Sequence, residues 1–298
     1  MTAAAAGLLL ALCVTVTCIP GAWKAVYTAF GLSEIGDKAD GYPFSMHVLN
    51  VGKAVAVVIL WEGDAMAVDC GRTDDGEQVA LYLKKRGIKH LTYAVNTHPD
   101  SDHIGGFPTL LRRMNTNLFL EPVLSESIKK DNEDRDEVLA VLKEKKVLHK
   151  TLSAGDTLHL NGAEIRVLSP FGEQETANDS SLVLKITYGE TSFLLMGDAE
   201  EAAERELLKS GEDLRCDVLK VGHHGSETST TEEFLTAAAP KYAAISVGED
   251  RSHLPKDAVL KRLSEHHAET YRTDLSGTLV FVSDGNTVQA MTEKEESK

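Results

Sequence analysis

Short apolar runs rich in β-branched residues recur along the chain, broken by glycines and charged turns. Three of them, FSMHVLNV (44–51), AVAVVILW (54–61) and DAMAVDC (64–70), are separated by Gly-Lys and Glu-Gly turns and predict strands. Residues 75–86 follow with helical periodicity and stop at Gly87, and HLTYAVNT (90–97) has the continuous apolar character of a buried strand. A short helix is predicted over 104–114, and the alternating charge of 124–146 predicts an exposed helix. Short strands come next at 147–151, 157–160 and 163–168. SLVLKITYG and TSFLLMGD (181–198) form a hairpin pattern that turns at Gly189-Glu190. Beyond it helices (199–210, 229–239, 256–266) alternate with strands (216–222, 242–248), and late strands lie near 270–290. Strands and helices mix in both halves, which predicts an α+β body of two sheets packed together with helices outside.

The ends read differently. Residues 3–23 form a long apolar run without Asp, Glu, Lys or Arg, the pattern of a secretory signal sequence or an uncleaved membrane anchor. Such a segment implies an extracytoplasmic protein, secreted or held at the membrane. The expected organisation is 1–24 signal or anchor, 25–43 linker, 44–290 catalytic body and 291–298 charged tail. Cys70 and Cys216 are expected to be buried free thiols.

Composition narrows the functional classes. The 298 residues carry 31 Lys plus Arg against 46 Asp plus Glu, a formal net charge of −15. That charge argues against broad wrapping of nucleic acid, which needs a basic footprint, while leaving room for a local cationic site such as a metal pair.

Candidate chemistry concentrates in Thr97-His98-Pro99-Asp100-Ser101-Asp102-His103-Ile104-Gly105-Gly106. Four metal-ligand side chains fall within six residues, between a strand and a helix. His98 with Asp100 can chelate one ion and Asp102 with His103 a second, and this nitrogen and oxygen donor set suits Zn²⁺, Mn²⁺ or Fe. Asp198 ends a strand, where it can bridge two ions or cap the next helix. In Gly222-His223-His224-Gly225-Ser226, one imidazole can bind metal while the other meets a substrate oxygen. His253 follows a strand and is a further candidate. His47, His90, His149, His159, His266 and His267 are read as structural; Lys220, just before the histidine pair, could add positive charge there, but is read in preference as a solvated or snorkelling lysine.

In combination, THPDSDHIGG, NDSSLVLKITYGETSFLLMGD, DVLKVGHHGSETST, ISVG and YRTDLSGTLVFVSDG resemble the metallo-β-lactamase fold superfamily over residues 44–290. The closer likeness is to the hydrolase domain of the DNA-uptake competence protein ComEC and its stand-alone relatives. The resemblance implies an αββα four-layer sandwich and two metal ions, most simply Zn. It assigns His98, Asp100 and the bridging Asp198 to a first site, with Asn178 as a weak ligand or the orienter of a water. Asp102, His103, Asp198 and one of His223 or His224 fall in the second. The superfamily's third-position His is Asp100 here, as in the ComEC-like branch, and its separate later His is absent. The usual L-D-V-G-Q-G-D-A turn reads Leu49-Asn50-Val51-Gly52-Lys53-Ala54-Val55-Ala56. The implied activity is hydrolysis of a phosphodiester, either single-stranded DNA or a smaller ester. Asp102 would orient the nucleophile, and the unligated histidine of the 223/224 pair, or His253, would serve the leaving oxygen. β-Lactam hydrolysis fits less well. The alternative is a non-enzymatic metal-binding or surface-anchored module of the same fold. No protein partner is predicted; the membrane is met only through the N-terminal segment.

Overall fold

The computed structural model describes residues 38–130, 132–249 and 252–294. The predicted signal or anchor, and most of the linker, lie outside the described residues. The chain builds its first sheet from β1 (Phe44–Val48), β2 (Ala56–Trp61) and β3 (Asp64–Cys70), then β4 (His90–Val95), β5 (Asn115–Pro122) and β6 (Leu148–Leu152). Helices α1 (Asp75–Lys85), α2 (Ser101–Ile104), α3 (Phe107–Arg113), α4 (Glu126–Lys129) and α5 (Glu133–Lys145) connect the last four of these strands. The second sheet follows: β7 (Thr157–Leu160), β8 (Ala163–Ser169), β9 (Val183–Tyr188), β10 (Thr191–Leu195), β11 (Val218–Lys220), β12 (Tyr242–Ile245) and β13 (Glu269–Arg272). Its helices are α6 (Glu201–Ser210), α7 (Glu232–Ala238), α8 (Asp257–Glu265) and α9 (Thr273–Ser276). The chain then returns to the first sheet as β14 (Leu279–Ser283) and β15 (Val288–Thr292).

The strand orders are β15-β14-β1-β2-β3-β4-β5-β6 and β13-β12-β11-β10-β9-β8-β7. Both sheets are mixed: β3 to β6 and β10 to β13 run parallel, and the remaining neighbours pair antiparallel. Strand alternation explains the layering. Phe44, Met46, Val57, Ile59 and Trp61 of the first sheet pack against Ile165, Val167, Leu184, Phe193 and Tyr242 of the second. The opposite faces bury Ala67, Leu83, Phe107 and Leu110 on one side, and Leu219, Phe234 and Leu263 on the other, beneath the helices. This is the αββα four-layer arrangement. Cys70 and Cys216 are buried free thiols, as expected.

Two predicted helices differ in the structure. The segment 104–114 becomes α3, starting at Phe107, with the separate single turn α2 before it on the ligand loop; between them Gly106 lies against the end of β3, where a Cβ would clash with the Cys70 carbonyl oxygen. The segment 124–146 becomes α4 and α5, because Asn132 begins a new helix. Its side chain accepts from Arg135 N at 2.9 Å and donates to Pro99 O at 3.0 Å, tying α5 to the His98–His103 loop. Among the described residues no helix is long and apolar enough to cross a membrane.

The close approach at Gly106 fixes the loop that carries four candidate ligands. Gly106→Ala is therefore expected to lower unfolding free energy by about 1–3 kcal/mol or more through overpacking against backbone that cannot yield. Urea denaturation measures this; wild-type stability would show that the loop is not fixed at this point.

Candidate metal centre

The candidate residues gather where the parallel strands of the two sheets end, the edge at which open α/β sheets present their ligands. β4 feeds the 98–103 loop, β10 feeds Asp198, and β11 feeds the histidine pair. Thr97 O accepts from Leu182 N at 2.8 Å, and Ser181 Oγ accepts from Asp198 N at 3.0 Å, so the first loop and Asp198 are held by neighbouring residues.

Asp198 is buried, and imidazole nitrogens surround it. Its Oδ1 lies 3.3 Å from His103 Nε2, and its Oδ2 lies 3.6 Å from His224 Nε2 and 3.9 Å from His223 Nε2. The His98 and His103 rings lie against each other, tilted, with centroids 4.1 Å apart. His98, His103 and Asp198 place ligand atoms within 4.8 Å of one another, as do Asp102, His103 and His224. His98 Nε2, His103 Nε2, His224 Nε2 and Asp198 Oδ1 are buried without a hydrogen-bond partner. Buried polar atoms are seldom orphaned. Their convergence, with a nitrogen and carboxylate donor set, fits divalent cations.

The other ring nitrogens are committed. Asp69 accepts from His103 Nδ1 at 2.7 Å and also takes Thr97 N and Thr97 Oγ1 at 2.7 Å. Ser246 O lies 2.9 Å from His224 Nδ1, and Glu200 Oε1 lies 2.9 Å from His223 Nδ1. Acceptors at Nδ1 fix these rings with their Nε2 edges toward Asp198, the usual second layer of a metal site. The pair is held in a strained backbone: His223 has φ 44° and His224 φ 52°. Successive left-handed non-glycine residues cost about 1–2 kcal/mol each, and the turn is held by His223 N donating to Gly197 O at 3.2 Å, Ser226 N donating to His223 O at 2.8 Å and Ser229 Oγ donating to Gly222 O at 2.9 Å.

Electrostatics follow from this packing. Burial alone would raise the Asp198 pKa, but His103 and His224 outweigh it and hold the carboxyl well below its ordinary range. Burial would pull His103 down, but Asp198 and Asp69 outweigh it and hold the ring well above the ordinary histidine value. Burial and the neighbouring His103 take His98 down to about 4.

The remaining candidates sit at the margin. Asp100 is half exposed, with Oδ2 3.7 Å from His98 Nε2. Asn178 donates to Glu200 Oε1 at 3.4 Å, and Thr228 Oγ1 donates to the same oxygen at 2.7 Å. His223 is half-buried and lies outside both ligand groups, as do Asp100 and the exposed His253. The His253 loop nevertheless reaches the centre's edge: Lys256 N donates to Gly225 O at 2.9 Å.

A family model described as the metallo-beta-lactamase superfamily matches residues 49–249. The chain belongs to that superfamily. It is 38% identical over 209 residues to ComE operon protein 3 of Bacillus subtilis (strain 168), an alignment covering 69% of this chain and 26% of the relative. It is 31% identical over 242 residues to Recombination protein 2 of Haemophilus influenzae, covering 78% and 28%. The chain thus spans less than a third of the length of these ComEC-like relatives. In fold it resembles the metallo-β-lactamase fold protein YhfI from Bacillus subtilis, with a TM-score of 0.55 at 10% identity, over 83% of this chain and 100% of that one.

Three residues of this metallo-β-lactamase centre escape sequence reading. Asp69 is the second-last residue of β3, and nothing beside it in sequence marks its partnership with His103. Glu200 is one acid among many in Ala199-Glu200-Glu201. Lys220 is corrected outright: it is neither solvated nor snorkelling but 2% exposed. Its Nζ donates to Val221 O at 3.2 Å, and burial lowers its pKa to about 8 against the opposing pull of Asp198 and Asp69.

Asp69 orients His103 and supplies its counter-charge. Asp69→Asn is therefore expected to weaken Zn²⁺ or Mn²⁺ binding about 10–100-fold, read by chelator competition. Unchanged affinity would contradict that role.

Proposed function

We propose that this chain is a metal-dependent hydrolase that cleaves phosphodiester bonds. The observation that carries the reading is the convergence of orphaned, buried His98, His103, His224 and Asp198 atoms around one small volume. His98, Asp100 and Asp198 would hold one ion, and Asp102, His103, His224 and Asp198 the other; Zn is the simplest assignment, with Mn or Fe as alternatives. Such ions, when bound, acidify water and offset charge on phosphoryl oxygens.

The chain's own residues do the rest. Asp102 is half-buried, with Oδ2 3.7 Å from His224 Nε2, and serves both as ligand and as acceptor that orients the nucleophile. His223 faces Asp198 from a more open position, with Nδ1 fixed by Glu200. It is the group placed to meet a substrate oxygen or to pass a proton to the leaving group. This divides the roles of the adjacent pair, His224 inward and His223 outward. His253, on the loop anchored at Gly225, is a second candidate for the leaving oxygen.

Similarity to competence and recombination proteins supports a DNA strand as substrate. The open acidic surface beside the metal loop argues for a smaller phosphodiester, which carries less charge. Asp100, Asp102, Glu133 and Asp134 line it, and such a wall repels a polyanion. The apolar run at 3–23 supports an extracytoplasmic protein, secreted or held at the membrane by that segment.

The metal-loaded protein is expected to hydrolyse bis-p-nitrophenyl phosphate or single-stranded DNA in preference to nitrocefin. Activity should be lost on chelation and return with Zn²⁺ or Mn²⁺; turnover that survives exhaustive chelation would refute metal dependence. Stoichiometric metal without hydrolysis of any ester would instead favour a binding module. Asp102→Ala should cut kcat about a thousandfold or more while leaving Tm nearly unchanged. Undiminished turnover in that variant would overturn the assignment of the loop.

A further inference from the structure

Positive charge gathers at one edge of the first sheet. The turns that lead into β4, β5 and β6 follow the C-termini of α1, α3 and α5. Because these strands run parallel, all three turns lie at the edge opposite the one that carries the metal centre. Residues 84–90, 112–113 and 143–146 place nine Lys and Arg there against the single acid Glu144, in a chain whose net charge is −15. Arg112 is paired with Glu137 at 3.2 Å and Arg113 with Glu77 at 2.9 Å. Lys84, Lys89, Lys143, Lys145 and Lys146 are exposed and, among the described residues, make no ion pair. Acid at this edge sits in the turn between β2 and β3, as Glu62 and as Asp64, which lies 3.7 Å from His90 Nε2.

A cation in the last turn of a helix answers the helix dipole, which accounts for part of this charge. It does not account for Lys89, four residues past α1. Nor does it account for the contrast with the second sheet, where the last turn of α6 holds Lys209 alone, that of α7 no basic residue and that of α8 only Arg262. Glu212 and Asp213 then follow α6.

The chain enters the body at this same basic edge. β1 starts where β2 ends, with Phe44 opposite Trp61, and Asp40 just ahead of it stands 3.7 Å from Arg86. Residues 24–37 separate that point from the apolar run at 3–23, a reach of at most about 50 Å.

We propose that the basic edge formed by the turns before β4, β5 and β6 docks on an anionic phospholipid bilayer. The proposal rests on the reading of 3–23 as a segment that holds the protein at a membrane. Such a segment keeps the edge within reach of the headgroups. Clustered lysines are attracted to anionic headgroups over about a Debye length, roughly 8 Å at physiological salt. The acids following α6 turn the second sheet's side away, so the body leans on the helices of the first sheet. Docked in this way, it presents its metal edge to solvent on the side away from the bilayer. A nucleic acid strand fits the placement less well, because it would be held at the edge farthest from His98 and Asp198.

The full chain, purified in detergent, would be reconstituted with vesicles of phosphatidylcholine alone or with about a third phosphatidylglycerol. Lysines are then labelled with a membrane-impermeant amine reagent and located by mass spectrometry. Lys84, Lys89, Lys143, Lys145 and Lys146 are expected to react about fivefold more slowly or less on the anionic vesicles, with the difference abolished by 0.5 M salt. Lys209 should react equally on both. Joint replacement Lys84→Glu, Lys89→Glu, Lys143→Glu and Lys145→Glu should remove the protection of Lys146 without shifting Tm in detergent. Wild-type labelling decides the matter even for a variant that fails to fold. Equal labelling on both vesicles, or equal protection on both, would overturn the proposal. So would stronger protection by a single-stranded oligonucleotide than by anionic vesicles. A full chain that floats with neither vesicle would refute the anchored reading of 3–23 and the proposal with it, and would leave the metal centre untouched.

Discussion

The structure turns on a buried carboxylate. Asp198 is surrounded by imidazole nitrogens, and an ionised acid in such a place is expensive unless positive charge stands against it. His103 supplies that charge directly, and Asp69 behind His103 makes the supply secure. The Nε2 atoms of His98, His103 and His224 around it have no hydrogen-bond partner among the described residues. A cluster so arranged is costly as packing and makes sense as a cage.

The fold brings these groups together from four strand ends. β3 contributes Asp69, β4 the 98–103 loop, β10 Asp198 and β11 the histidine pair. Two sheets whose parallel strands finish at one edge make the cage a consequence of topology, and the inter-sheet core fixes its dimensions. Local devices then set the details. Glycine at 106 lets the first loop press on β3. Gly197 O and Ser229 Oγ hold the strained turn that faces His224 inward and His223 outward.

The readable parts of the site were those where several ligand types share a few residues. His98, Asp100, Asp102 and His103 announce themselves by spacing, and the architecture follows from the strand and helix order. What stayed hidden depends on contacts across the fold. Whether His223 or His224 points inward is decided by two left-handed residues, which local propensity does not foretell. Asp69 and Glu200 act on histidines 34 and 23 positions away, and nothing near them in sequence marks the partnership. Lys220 was read as solvent-facing because a lone lysine ending a short strand ordinarily reaches solvent, whereas here it lies on a strand with both neighbours paired and is buried. The altered helix boundaries have a similar cause: Gly106 and Asn132 answer to tertiary neighbours at Cys70 and Pro99.

The central claim is that this edge holds two cations bridged by Asp198. Anomalous diffraction from crystals of the protein loaded with Mn²⁺ tests it most directly. The account predicts two peaks flanking the Asp198 carboxylate, one beside His98 and Asp100, the other among Asp102, His103 and His224. Ordered protein with Mn²⁺ bound elsewhere, or with no peak at Asp198, would contradict it.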